Sequence, residues 1–261
     1  MIMQTNAGNM MQPANNGNGH ANERRGNPMR IPVWGTAAFL LLLPLIAMQF
    51  TSEVNWSGSD FLIIGIMLLA ACCAYEFGVW MSGDIAYRGG FAVAVAASFL
   101  LVWVNLAVGI IGKKVENDIA NVVFLGVLVT WFIGSLIARF RPQGMSYAMI
   151  AAAVVQAGIG LFALVAGWGY EAAVSGVLFC SMWLTSAALF HKASEPAPDK
   201  TLRKLEVHSI LTYQFMVNGA VMMAWMIVLE SEPALIPLLT IAFGIAWNLL
   251  TRYRIRKHQK S

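Results

Sequence analysis

Glu76 is the residue whose type and setting point most directly to chemistry. It stands inside the apolar run from Phe61 to Met81, where an ionisable group is expensive unless a partner or a wet cavity receives it. A carboxylate held there can carry a proton or bind a cation. Depth along neighbouring runs puts Ser98, Ser135, Thr185, Ser186, Gln214 and Asn248 at its level, with Tyr75 and Tyr213 nearby. Glu76, Ser98, Gln214 and Asn248 are therefore the candidate proton or cation site, an inner-leaflet polar layer. Gly65, Cys72 and Gly83 share the helical face of Glu76, which directs it into a bundle. A structural reading stands beside the chemical one: Glu76 reaches to the headgroups, or pairs with Arg88 around the next turn and ties two spans together.

Other polar residues within apolar runs read as packing groups. Asn105 lies on a stripe with Ala94, Ser98, Gly109 and Gly112, suited to close helix approach. Gln156 stands in a run where Ala153, Ala157 and Gly160 allow the same, and Gln214 and Asn218 share a face at i and i+4.

Motifs of established chemistry are missing from the sequence. His20, His191, His208 and His258 form no H-E-x-x-H pair, and neither a phosphate-binding G-x-x-x-x-G-K-[ST] loop nor a G-x-S-x-G elbow occurs. Cys72 and Cys73 point about 100° apart on a helix and do not face one metal. Together with Cys180 they fall inside apolar runs, so no disulfide framework is implied. No metal, no cofactor and no enzymatic activity are expected.

The elements that must position these residues follow from composition. Hydrophobic residues make up 58% of the 261 positions and charged residues only 11%, more apolar surface than one soluble core of this length hides. A helix needs roughly 20 apolar residues to cross a bilayer. The runs of that size predict an all-α polytopic bundle of eight spans: 33–50, 61–81, 90–112, 121–139, 147–167, 172–190, 207–229 and 234–250. Pro142 and Gly144 read as turn formers between the fourth and fifth.

Positive charge resists translocation, and here it alternates between the breaks. Of the 17 Lys and Arg, all but Lys113 and Lys114 fall on one side: Arg24, Arg25 and Arg30, then Arg88, then Arg139 and Arg141, then Lys192, Lys200, Arg203 and Lys204, then the tail from Arg252 to Lys260. The other side carries Glu53, Asp60, Glu116, Asp118, Glu171, Glu230 and Glu232. Both termini are expected in the cytoplasm, and an odd number of spans would break the alternation. The net charge of +4 is accounted for by topology and by anionic lipid, so no nucleic-acid partner is implied.

Residues 1–30 are rich in Asn, Gly and Met and predict a disordered tail rather than a cleaved signal, because Arg30 precedes a full-length span. Residues 31–192 form a six-span bundle, 193–206 a Pro-containing cytoplasmic linker, 207–251 two further spans and 252–261 a basic tail. Ala-Tyr-Glu at 74–76, Leu-Val-Trp-Val-Asn-Leu-Ala-Val-Gly-Ile-Ile-Gly at 101–112 and Ala-Arg-Phe-Arg-Pro at 138–142 resemble a family of small uncharacterised bacterial multi-pass inner-membrane proteins. The resemblance covers about 33–192 and implies a bacterial inner-membrane location. It carries over no functional residue, and the last two spans look like an addition.

The sequence thus points to an accessory or assembly protein of the cytoplasmic membrane, its partners the lipid bilayer and a membrane protein or a second copy of itself. The alternative is a small proton- or cation-linked transporter built on the layer around Glu76.

Overall fold

The computed structural model describes residues 27, 29–52, 54–107, 123–167, 170–196, 199–228 and 235–259. The Asn-rich tail over 1–26, Glu53, Lys113, Lys114, Glu116, Asp118, Glu230, Glu232, Lys260, and Gly109 and Gly112 of the small stripe lie outside them. The described residues form eight helices: α1 (Arg30–Ala47), α2 (Gly58–Met81), α3 (Ile85–Ala107), α4 (Leu125–Ile137), α5 (Pro142–Val165), α6 (Tyr170–Ser194), α7 (Lys200–Val228) and α8 (Leu235–Gln259). By length and composition α1, α2, α3, α5 and α6 can each cross a membrane, whereas α4 is apolar but only 13 residues long. The chain is an all-helical, multi-pass membrane protein.

Local chemistry sets the helix starts. Ser57 and Asp60 form a capping box, the Ser57 hydroxyl accepting from the Asp60 N–H and the Asp60 carboxylate accepting from the Ser57 N–H at 2.7 Å. Asp84 begins α3 by accepting from the N–H groups of Ala86 and Tyr87 at 2.7 and 3.2 Å. Pro142 is the first residue of α5, where its missing N–H costs nothing. The expected turn at 141–144 is therefore displaced. Gly144 lies inside α5, where a Cβ would meet that of Ala138 at 2.6 Å. The reversal is made by Arg139 and Phe140, both left-handed at φ 51° and 57°, and the Tyr87 hydroxyl holds it by donating to the Phe140 carbonyl at 3.0 Å.

Lipid is as apolar as Leu, so close packing and hydrogen bonds, rather than escape from water, hold such helices together. The most extensive pairing is α5 with α6, followed by α7 with α8, α3 with α6 and α4 with α5. Backbones nearly touch where Gly176 meets the Gly160 Cα, and the Cys180 thiol donates to the Ala153 carbonyl at 3.0 Å. Ser146 donates to the Ala187 carbonyl at 2.9 Å and Ser186 to the Gly90 carbonyl at 2.8 Å. Ala153 and Gly160 thus lie on the α5–α6 seam as expected, while Ala157 is exposed. Around the seam Tyr87, Phe91, Leu101, Phe124, Met149, Phe179, Trp183 and Phe190 form the core. Only Pro44 of α1 is buried, and α1 packs chiefly on α2.

A charged clasp closes one end of the bundle. Arg203 of α7 is 3% exposed, and its guanidinium donates to the carbonyls of Lys192 and Glu195 at the end of α6. It lies 3.7 Å from the Asp84 carboxylate. Lys192 pairs with Glu195 at 2.7 Å and with Glu206 at 3.1 Å. The segments 82–84 and 138–141 and the end of α6 are therefore neighbours.

Candidate functional site

Glu76 is placed by α2, one turn after the buried Cys72 and beside the buried Tyr75. Its carboxylate lies 3.5 Å from the Arg30 Nε at the start of α1, an ion pair in which the Glu76 side chain is 27% exposed and that of Arg30 69%. Glu76 Oε1 is enclosed yet accepts no hydrogen bond. The expected pairing with Arg88 is not made. Arg88 turns instead to the end of α2, donating to the Ser82 carbonyl at 2.8 Å and the Val79 carbonyl at 3.4 Å, which satisfies acceptors that a helix end leaves open.

Beside this pair runs an apolar cavity of about 550 Å³ between α1 and the α2–α3 pair. Its floor is Leu68, Cys72 and Tyr75 and its walls are Val33 and Ala37 on one side and Ala92, Ala96 and Leu100 on the other. A second cavity of about 400 Å³ continues it past Leu40, Phe99 and Leu100 towards Trp56 and Trp103.

The four residues expected to form one polar layer do not meet. Ser98 of α3 donates to its own Ala94 carbonyl at 2.8 Å, a local back-bond that satisfies the hydroxyl. Gln214 of α7 joins α6: the Thr185 hydroxyl donates to its Oε1, and its Nε2 donates to Ser181 Oγ at 2.8 Å and Asn218 Oδ1 at 2.7 Å. Asn248 of α8 donates to Ser209 Oγ at 3.3 Å. Glu76 faces α1, Gln214 faces α6 and Asn248 faces α7. A shared depth is not a shared place.

Asn105 was expected to bond between helices. It donates to the Leu101 carbonyl of its own helix at 2.6 Å. Its Oδ1 is enclosed without a donor, and the residue lines an apolar cavity of about 170 Å³ with Phe124 and Leu128. Gln156 is fully buried in α5 with neither Oε1 nor Nε2 bonded. Asn218 alone of the three packing residues bonds to another side chain as expected, through Gln214 and, at 3.4 Å, Ser181 of α6.

Sequence reasoning read Arg203 as a topology charge and missed its buried role. The signal lay in spacing: Arg203, Val207 and Gln214 recur on one face of α7, and all three are buried. Outside the apolar helices, the Lys192 ammonium bonded to Glu195 holds that carboxyl below the usual carboxylate range.

Compared with family models, curated proteins and solved structures, the chain matches none of them.

Proposed function

We propose that the chain is an eight-span protein of the bacterial inner membrane with both termini in the cytoplasm, acting as an accessory or assembly protein without catalysis of its own. The observation that carries the accessory role is how the interior polar groups are used: Ser146, Ser186, Thr185, Gln214 and Asn248 each bond to a neighbouring helix. Groups committed to helix joints hold a shape, and a held shape presents surfaces to other membrane proteins. The side assignment draws on charge, since Arg139, Arg141, Lys192 and Arg203 accompany the segments that the clasp brings together. Reporter fusions after residues 199 and 261 test it, and cytoplasmic reporter activity is expected at both. Purification from native membranes in mild detergent tests the role. A stoichiometric membrane protein is expected to accompany the chain, and recovery of the chain alone from membranes that retain their other complexes counts against the proposal.

One observation favours the transporter reading: the enclosed Glu76 Oε1, although 3.5 Å from the Arg30 Nε, accepts no hydrogen bond, which leaves the carboxylate open to a proton. Proton or cation flux in proteoliposomes from about pH 5 to about pH 8, lost in Glu76→Gln, would replace the accessory role with transport.

A further inference from the structure

The cavity between α1 and α2–α3 opens to the membrane beside the only ion pair recorded between α1 and another described helix. From Ala92 to Leu100 it follows α3 for about 12 Å, close to the depth of one leaflet of a hydrocarbon core about 30 Å thick. Met29 and Tyr75, chain neighbours of Arg30 and Glu76, line its charged end. The lining is almost wholly apolar side chains, which suits hydrocarbon chains.

The mouth carries one guanidinium and one carboxylate 3.5 Å apart. Arg30 is largely exposed and can offer a phosphate the guanidinium N–H groups that its pair with Glu76 leaves over, while Glu76 Oε1, although 3.5 Å from the Arg30 Nε, accepts no hydrogen bond from it. We propose that this cleft is a binding seat for a phospholipid whose head bears a primary ammonium, of the leaflet that holds Arg30. The phosphate lies on Arg30, the ammonium donates to Glu76 and an acyl chain fills the space between Val33 and Ala96. Once Arg30 turns from Glu76 to the phosphate, a head of phosphate and hydroxyls alone leaves Glu76 without a cation, so the seat prefers phosphatidylethanolamine over phosphatidylglycerol. The proposal goes beyond the accessory role and holds whether or not a protein partner exists.

The test places the full chain in vesicles of equal phosphatidylethanolamine and phosphatidylglycerol, with a photoactivatable group on the acyl chain of each lipid in turn. Mass spectrometry then maps the labelled peptides. The ethanolamine probe is expected to label Val33–Leu40 and Ala92–Leu100 about tenfold over the exposed face of Leu62, Ile66 and Leu69. Ala96→Trp, an exposed position on the cleft wall, removes that excess. Glu76→Gln leaves the cleft labelled but abolishes the preference for ethanolamine over glycerol. Equal labelling of cleft and exposed face would show ordinary boundary lipid and overturn the proposal. Equal labelling by the two wild-type probes, or cross-links joining two copies through α1, would overturn it as well. If Ala96→Trp does not fold, the wild-type map and Glu76→Gln still decide.

Discussion

A single amide shows how costly an unmet polar group is in this bundle. Gln156 is wholly enclosed and bonds to nothing, and a buried polar group without a partner costs about 1–3 kcal/mol. Gln156→Leu keeps the volume and removes that penalty, so it is expected to stabilise the protein by about 1–2 kcal/mol, read as a higher unfolding midpoint in detergent. A lower midpoint would show that the amide holds an internal water. Glu195 gives a pH-dependent contrast. Its carboxyl titrates lower in the folded chain than in the unfolded one because Lys192 donates to it, so in the window between the two values the unfolded state binds more protons and stability rises with pH. The contribution is present above the ordinary value of 4.5 and is lost as the pH falls through the lower folded value. Wild type and Glu195→Gln should therefore differ in midpoint at neutral pH and converge in acid. The residue is exposed, so added salt should shrink the difference.

Helices were legible where an unbroken apolar run forced them, as in α2, expected over 61–81 and found over Gly58–Met81. Their ends were less so, because hydropathy marks the hydrocarbon layer and not the helix. Lys200–Glu206 is charged yet continues α7 inward, and α6 runs on to Ser194 through His191 and Lys192. The candidate layer failed for a related reason. Counting residues along a span fixes depth, but which helices adjoin is decided by close approach, as at Gly134, where a Cβ would meet that of Ala148 at 2.8 Å. Gly134→Ala should push α4 from α5 and cost about 1–3 kcal/mol. Gly126→Ala on the same helix has nothing within 4 Å of the new methyl and should be neutral or slightly stabilising. Parallel unfolding curves of the two variants check this, and equal losses would refute the packing account.

At the scale of the molecule, composition predicts a division at 193–206 between six spans and two, and the structure packs the helices on either side of that segment together. One joint is Arg203, which bonds the end of α6 and lies against Asp84, just before α3. Removing one partner of such an enclosed set costs about 3 kcal/mol. Arg203→Ala should lose about that much, and Arg203→Lys should recover less than half, because an ammonium lacks the fork that reaches two carbonyls and a carboxylate together. A chain ending at residue 192 should accordingly be more protease-sensitive than the same residues within the full-length protein. Equal resistance would show that the six-helix unit stands alone.

The clasp also imposes an order in time. Asp84 and the end of α6 leave the ribosome before Arg203 does, and at about 5–20 residues per second the wait from Asp84 is on the order of ten seconds. Throughout that interval the nascent bundle presents an unfilled socket to whatever insertion factors or proteases attend it. Arrival of the late arginine, not entry of the sixth helix into the membrane, seals that end of the protein.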